Sequence, residues 1–306
     1  MPICLSTSWN ASRYTSGKAI IQEVKALGFC EIELSFNLTP GIIRDIAACV
    51  RKKQIRVRSL HNYCPIPKGV SRQEALPDCY SLAALDDEKR RLAVTYTKVT
   101  IDTAYTLNAQ AVVLHCGRVD IPDRTRELIA LYDNGQLESP QAKELKAQMQ
   151  KERSQRAQAH IQAVLKSLAE LEGYARKLHI ALGVETRYYY REIPSFDEVE
   201  ILLNEFKDSN IFYWHDTGHA QLWENLGVLK HKDYFKRYAQ YLLGVHLHDI
   251  KGADDHRAPL TGDFDFASLT PYLTAATIKT LEAHYPATAR EIVQAKCFLE
   301  KLYEPN

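Results

Sequence analysis

Residues 211–219 read Ile-Phe-Tyr-Trp-His-Asp-Thr-Gly-His, an apolar run that ends at Asp216 and leads into a helix-like segment. The same construction recurs along the chain: a short apolar run ends near a His, Asp or Glu and is followed by an amphipathic stretch. Runs that predict strands lie at residues 3–6, 30–34, 55–60, 111–114, 180–184, 211–214, 242–247 and 277–281. Strands that alternate with helices in this way predict a parallel sheet.

The number and spacing of these units predict the fold class. Eight strand-then-helix units over 306 residues give about 38 residues per unit, which suits an α/β fold built as a (β/α)8 TIM barrel. A doubly wound open sheet is the alternative, but the chain has neither a Gly-x-Gly-x-x-Gly motif after the first strand nor a Gly-Lys-Ser/Thr loop. No linker is apparent, so residues 1–306 are predicted to form a single domain. A long helical insertion follows strand four, loop-like from residue 118 and strongly helical from 140 to 177.

The composition excludes several classes of protein. Hydrophobic residues make up 45% and charged residues 25% of the chain, as in folded globular proteins. The 39 Lys and Arg residues balance 38 Asp and Glu residues, so a generally basic nucleic-acid-binding surface is not indicated. No apolar run approaches the roughly 20 residues of a membrane span, and the first residues do not read as a signal peptide. Seven cysteines without a Cys-x-x-Cys pair indicate reduced thiols and a cytoplasmic location.

The residues at the ends of the predicted strands are candidate metal ligands. In a barrel, catalytic groups come from the C-terminal ends of several strands. Seven of the eight strand ends offer a histidine or a carboxylate: Glu33, His61, His115, Glu185, Asp216, His246 and Glu282. Imidazole and carboxylate together suit Zn, Mn, Fe or Co. Burying this many ionisable groups without a metal would be costly, so we expect a metal site rather than an unoccupied polar rim.

Spacing separates the neighbouring histidines at this predicted mouth. Asp216 and His219 are three residues apart across the strand-to-helix turn, so both can face the mouth. His215 is discounted as a ligand because adjacent strand residues point to opposite faces. His248 shares a face with His246 but lies higher, toward the loop, which makes it a supporting or substrate-binding residue. The polar loop that follows, residues 249–263, offers an Asp-x-His pair for an additional metal ion.

Five short motifs resemble those of the xylose isomerase-like TIM barrel superfamily, which includes sugar phosphate isomerases and epimerases and also endonuclease IV (AP endonuclease family 2). The motifs occur in order along the eight units, at residues 113–117, 184–186, 215–220, 245–249 and 281–282. The resemblance extends over nearly the whole chain, and it implies a barrel with a divalent metal at its mouth.

The resemblance also implies roles for individual residues. In the isomerase and epimerase branch, one metal ion is held by the residues that match Glu185, Asp216, His246 and Glu282. Glu185 and Glu282 would also be the catalytic acid and base on opposite faces of a bound sugar. In the endonuclease IV branch, three zinc ions use these four groups and five more, which match His61, His115, His219, Asp254 and His256. One to three divalent metal ions per chain are therefore implied.

The sequence departs from endonuclease IV in two ways, and both favour the isomerase and epimerase branch. The characteristic N-terminal segment of endonuclease IV is not found after the first strand, and the small residues usual after the strand-five glutamate are replaced by residues 186–191, Thr-Arg-Tyr-Tyr-Tyr-Arg. This run could stack on bases and contact phosphates, but lining a sugar pocket or covering the mouth is favoured. We therefore expect a metal-dependent isomerase or epimerase acting on a small sugar or sugar phosphate, with His248, Arg187 and Lys251 as substrate contacts.

Two alternatives stay open. A zinc-dependent phosphodiesterase of the endonuclease IV type, acting on abasic DNA, would use a multinuclear site to generate hydroxide. A barrel that binds a metal or ligand without turnover is the third hypothesis. The leading hypothesis implies a small-molecule carbohydrate as partner, with nucleic acid less favoured and no membrane. The helix at residues 140–177 is long enough to support a homo-oligomer.

Overall fold

The computed structural model describes residues 2–304, and within them eight parallel strands close into a barrel. The barrel strands are β1 (Cys4–Ser6), β2 (Glu31–Leu34), β3 (Arg56–His61), β4 (Ala111–Leu114), β5 (Ala181–Glu185), β6 (Ile211–Asp216), β7 (Leu242–Leu247) and β10 (Ile278–Leu281). Two further strands, β8 (Asp249–Lys251) and β9 (Asp254–Arg257), form a separate antiparallel hairpin. Because β1 pairs with both β2 and β10, the ring is complete. The prediction of an α/β fold built as a (β/α)8 TIM barrel is confirmed.

α-Helices surround the barrel. They are α1 (Gly17–Ala26), α2 (Pro40–Arg51), α3 (Asp87–Thr106), α4 (Thr125–Asp133), α5 (Pro140–Lys177), α6 (Phe196–Glu205), α7 (Thr217–Asn225), α8 (His231–Tyr238) and α9 (Ala289–Leu302). Local sequence explains several helix starts: Thr39 caps α2 by accepting the Ile42 N–H, and Thr288 and Glu291 form a capping box at α9. Among the helices of residues 2–304, none is both long enough and apolar enough to cross a membrane.

The insertion after β4 forms two helices rather than a loop followed by one. α4 occupies a stretch predicted to be loop-like, whereas α5 runs unbroken through 38 residues. The buried Leu128 of α4 belongs to a small hydrophobic core with Met149 of α5 and Trp223 of α7. The C-terminal half of α5 instead packs Leu168 and Leu171 into the main core. α5 therefore packs against the barrel through its C-terminal half and, through its N-terminal half, forms a second small core with α4 and α7.

The segment after β7, predicted to be a polar loop, is the hairpin β8–β9. Asp249 fixes its base: Oδ1 accepts the backbone N–H groups of Ile250 and Phe264, and Oδ2 accepts that of Gly262. The carboxylate is buried. The hairpin is thereby tied to the C-terminal end of the barrel, although its sequence lacks the apolar alternation that would have predicted strands.

Trp214 fills the barrel below its C-terminal end. The side chain is fully buried and lies two residues before Asp216, on the same face of β6. Glycines on the neighbouring strands make room for the indole: a Cβ at Gly244 would lie 2.4 Å from its Cζ3, and a Cβ at Gly183 would lie 2.8 Å from its Cε3. The ring centroids of Trp214 and His246 are 5.2 Å apart. The indole therefore forms the floor beneath the strand-end residues.

Candidate metal centre and active site

Four strand-end residues meet at the mouth of the barrel. Glu185, Asp216, His246 and Glu282 each offer one ligand atom, and these atoms lie within 4.8 Å of one another. His246 Nδ1 lies 2.6 Å from Glu185 Oε1, 2.8 Å from Glu282 Oε2 and 3.6 Å from Asp216 Oδ2. All four side chains are buried. Three carboxylates therefore converge on one imidazole nitrogen, in what is called here the four-residue group.

Glu33 holds the other nitrogen of His246. His246 Nε2 lies 3.0 Å from Glu33 Oε1, and Ser59 Oγ donates to Glu33 Oε2 at 2.7 Å. A histidine that donates one ring N–H to a carboxylate is oriented to present the other nitrogen to a metal. Burial lowers the pKa of His246, but the carboxylates of Glu282 and Glu33 outweigh burial and raise that pKa well above its ordinary value. The sequence marks Glu33 as a strand end but gives it no further role.

The carboxylates at the mouth are held in their charged form. Burial raises the pKa of Glu185, but neighbouring imidazoles, with His115 first, outweigh burial and bring that pKa well below its ordinary value. Burial likewise raises the pKa of Asp216, and again imidazoles, with His219 first, bring it well below the ordinary value. The pKa of Glu282 is lowered by its histidine neighbours against the same burial. Charged carboxylates are the state that binds a cation or accepts a proton.

A second group lies on the other side of Glu185. Glu185 Oε2 lies 2.7 Å from His115 Nε2 and 3.7 Å from His61 Nε2. The Asn62 carbonyl lies 3.0 Å from His61 Nδ1 and accepts its N–H, which leaves the Nε2 lone pair facing Glu185. The structure thus brings together His61, His115 and Glu185 as a candidate cation group.

A third group contains Asp216, His219, His248 and His256. His248 Nδ1 accepts the backbone N–H of His256 at 2.9 Å, so the ring hydrogen is on Nε2 and is donated to Asp216 Oδ1 at 2.8 Å. Gly218 permits this approach, because a Cβ there would lie 2.1 Å from His248 Cε1. His248 therefore holds one oxygen of Asp216 and leaves the other to the four-residue group.

Asp254 is not brought to this group. Its side chain is 71% exposed and pairs with Arg257 at 2.7 Å. Asp255 lies there instead, with Oδ2 at 3.0 Å from His256 Nδ1 and 3.7 Å from His219 Nε2. His256 has a φ of 52°, which interrupts the alternation of side chains that the Asp-x-His spacing assumes. The structure therefore brings Asp255 to this group in place of Asp254, the residue that the resemblance implied.

The three predicted substrate contacts have different surroundings. Arg187 is buried, with Nη1 at 2.6 Å from Glu185 Oε2 and Nη2 at 3.2 Å from Glu192 Oε1. His248 is fully buried against Asp216, as described above. Lys251 is exposed at the end of β8, beyond the buried base of the hairpin. The structure therefore brings Arg187 and His248 to the mouth but not Lys251.

Two residues near the mouth were not among the predicted ligands. Asp78, from the loop of residues 62–86, lies 3.4 Å from His115 Nδ1. That loop has no hydrophobic period, so nothing in the sequence marks Asp78. The His284 ring stacks on His256 with centroids 3.9 Å apart and forms a further candidate group with it and Glu282. Its place two residues after a strand-end glutamate is the signal that could have identified it.

Residues 186–191 cover part of the mouth. The Tyr188 hydroxyl donates to the Ala253 carbonyl of the hairpin at 2.9 Å, and its ring centroid lies 5.7 Å from that of His219. Of the two roles considered for this run, the contacts of Tyr188 fit a cover over the mouth.

A buried chain of hydrogen bonds runs outward from Thr186. Gln221 Oε1 can only accept, so His231 Nδ1–H donates to it at 3.2 Å and His231 Nε2 accepts from His215 Nε2–H at 2.8 Å. His215 Nδ1 then accepts from the Tyr213 hydroxyl, which accepts from the Thr186 hydroxyl, both at 2.7 Å. Both imidazoles are neutral in this arrangement.

Acid should destabilise the protein through this histidine pair. Burial lowers the pKa of His231 to about 3 and that of His215 well below its ordinary value. An unfolded histidine binds its proton near pH 6.5, so below that pH the unfolded state binds more protons. Stability should then fall as the pH falls toward 3, by about 1.4 kcal/mol per pH unit for each histidine.

His231→Gln tests this dependence, because its amide oxygen still accepts from His215. In urea unfolding of the metal-free variant, the free energy of unfolding should fall with acidification less steeply than in the metal-free wild type. The slopes should differ by about 1.4 kcal/mol per pH unit. His179→Gln, at an exposed position, is the control and should keep the wild-type slope. An equally steep fall in His231→Gln would contradict the assignment.

Solved structures share this fold over nearly the whole chain. An L-ribulose 3-epimerase has a TM-score of 0.71 at 17% identity, covering 99% of this chain and 95% of that one. A 3-keto-D-glucoside 4-epimerase from E. coli has a TM-score of 0.68 at 13% identity, covering 98% of this chain and 99% of that one. A D-tagatose 3-epimerase-like protein has a TM-score of 0.63 at 18% identity, covering 99% of this chain and 97% of that one. At these identities the similarity shows the fold alone.

No curated protein matches the chain in sequence. The xylose isomerase-like TIM barrel family, in contrast, matches it over residues 21–301, which include every strand of the barrel except β1. The match therefore includes all four residues of the four-residue group. The chain belongs to the xylose isomerase-like TIM barrel family.

Proposed function

We propose that this protein is a metal-dependent isomerase or epimerase that acts on a small sugar or sugar phosphate. The observation that carries the proposal is the pair of buried carboxylates Glu185 and Glu282, which lie 2.6 and 2.8 Å from the same nitrogen of His246. They come from β5 and from the end of β10, which are separated in the barrel by β6 and β7. The names of the three similar structures, all epimerases or epimerase-like, support the same chemistry.

The donor set fits a divalent cation. Asp216 Oδ2 is buried and has no hydrogen-bond partner within residues 2–304. One imidazole N–H cannot satisfy three carboxylates, whereas a divalent cation can bind all four groups at once. We therefore propose Glu185, Asp216, His246 and Glu282 as its ligands. Mixed carboxylate and imidazole donors suit Zn, Mn, Fe or Co.

The proposed chemistry is proton transfer at the carbon next to a carbonyl. A cation at the four-residue group would polarise the sugar carbonyl and its neighbouring hydroxyl. Either Glu185 or Glu282, as the carboxylate, takes the proton as the C–H bond breaks. The other, which takes a proton from water before the substrate binds, gives that proton to carbon, and the first group loses its proton to water after the product leaves. Return to the opposite face of the same carbon gives an epimer, whereas return to the neighbouring carbon, with the hydroxyl proton passing to the former carbonyl oxygen, gives an isomer. Burial of both carboxylates keeps water out while the proton is being transferred, and exchange with solvent takes place between turnovers.

Proton NMR in D2O tests this proposal directly. Metal-loaded protein should incorporate deuterium next to the carbonyl of a ketose or ketose phosphate and form a new epimer or isomer. L-ribulose, D-tagatose and their phosphates are suitable first substrates. A chelator should abolish both signals, and restoring the metal should recover them. Exchange that is insensitive to the chelator, or no exchange with any sugar at full metal loading, would reject the proposal.

A zinc-dependent phosphodiesterase is the second candidate, because the other three candidate groups add ligands beyond the four-residue group. Zinc-loaded protein would then cleave duplex DNA at an abasic site. Sugar turnover without such cleavage would reject this candidate. Full metal loading with neither reaction would favour the non-catalytic hypothesis.

A further inference from the structure

Glu185 lies between two groups and turns one carboxylate oxygen toward each. Oε1 lies 2.6 Å from His246 Nδ1, within the four-residue group. Oε2 lies 2.7 Å from His115 Nε2 and 2.6 Å from Arg187 Nη1. The second group therefore contains a guanidinium besides its imidazoles.

Arg187 is fixed in this position. Its Nη2 lies 3.2 Å from Glu192 Oε1 and 3.9 Å from Asp78 Oδ2, and its side chain is 6% exposed. Trp223 Nε1 donates to the Arg187 carbonyl at 2.9 Å and so holds the backbone as well. A guanidinium stays charged at any pH at which a protein is folded. A permanent positive charge, surrounded by carboxylates, therefore lies at the second group.

We propose that Arg187 takes the place of a second cation at the group of His61, His115 and Glu185. Its N–H satisfies Glu185 Oε2, the oxygen that a bridging carboxylate would give to a second cation, and its charge repels one. Arg187 is then a positioning residue that turns Glu185 Oε1 to the four-residue group. His115, whose Nε2 lies 2.7 Å from Glu185 Oε2, then helps to orient Glu185, and neither His115 nor His61 binds metal.

This inference rests on the proposed function and narrows it. A pair of metal ions that share a carboxylate suits phosphodiester hydrolysis, because it stabilises both the attacking and the leaving oxygen. A single cation at the four-residue group is sufficient for proton transfer next to a carbonyl. Arg187 thereby favours the sugar chemistry over the phosphodiesterase.

Counting Zn²⁺ ions by native mass spectrometry, after removal of free metal by gel filtration, tests the role of Arg187. Arg187→Gln removes the charge, and it should bind one more Zn²⁺ per chain than the wild type. Arg187→Lys retains the charge and should bind the wild-type number. Equal counts in the wild type and Arg187→Gln would overturn the proposal.

His61→Ala supplies an arm that does not depend on the folding of Arg187→Gln. With Arg187 intact, His61→Ala should leave the zinc count unchanged, and in the Arg187→Gln background it should remove the added ion. Loss of one ion from the wild type on His61→Ala would overturn the proposal. A wild type that binds no Zn²⁺ would contradict the proposed metal dependence but not the role of Arg187. In that case Arg187→Gln should still bind one ion more than the wild type.

Discussion

Glu282→Gln should reduce turnover of the sugar substrate by about 10²–10⁴-fold, the usual contribution of a positioned acid–base group. The amide keeps the size of the side chain but cannot accept the proton that the carboxylate takes from carbon. Glu185→Gln should have an effect of the same size, because the two carboxylates are proposed as partners in one transfer. Rates must be measured at saturating metal, since both residues are also proposed ligands. An unchanged kcat at full metal loading would contradict the role of either residue.

Glu33→Gln is the matched control for these variants. Glu33 is also a buried strand-end carboxylate, but it contacts His246 Nε2 at 3.0 Å, on the side of the ring away from the four-residue group. Its loss should weaken metal affinity by about 10–100-fold. At saturating metal its kcat should fall far less than that of Glu282→Gln. Equal losses of kcat would show that the Glu282 effect is not specific to proton transfer.

Asp249→Ala should lower the free energy of unfolding by about 4.5 kcal/mol or more, because it removes three hydrogen bonds to a charged group and each such bond contributes about 1.5–3 kcal/mol. The buried carboxylate accepts three backbone N–H groups at 2.8–3.0 Å, and alanine leaves all of them without this partner. Asp249→Asn keeps one acceptor oxygen and should lose about half as much. Urea unfolding followed by circular dichroism gives both values. An Asp249→Ala curve that superimposes on the wild type would contradict this role of the carboxylate.

The strand ends could be predicted from the sequence because a barrel brings the C-terminal end of every parallel strand to one place. Once the apolar runs are located, a histidine such as His115 or His246 can be assigned to the mouth without knowledge of its contacts. The assignment needs only the strand and the number of residues past its end. All four members of the four-residue group were among the seven strand-end candidates, and the resemblance to the isomerase and epimerase branch separated them from the other three.

Contacts made by loops could not be predicted in this way. Asp78 contacts His115 from a loop whose sequence has no periodic pattern of apolar residues. The choice between Asp254 and Asp255 depends on the positive φ of His256. The pairing of Arg187 with Glu185 likewise depends on the path of an irregular segment. α4 was missed for a related reason, since its apolar side chains pack against α7, almost a hundred residues along the chain.

The unbroken course of α5 has a mechanical consequence. At about 1.5 Å per residue, its length is about 57 Å, and no proline interrupts it after Pro140. One half is fixed in the main core through Leu168, and the other half packs beside α7 through Met149. Such a rod transmits displacement along its length, so the wall beside the mouth cannot swing independently of the barrel wall. Any opening of the mouth must therefore come from segments outside this rod, such as the 62–86 loop, which contains no helix or strand.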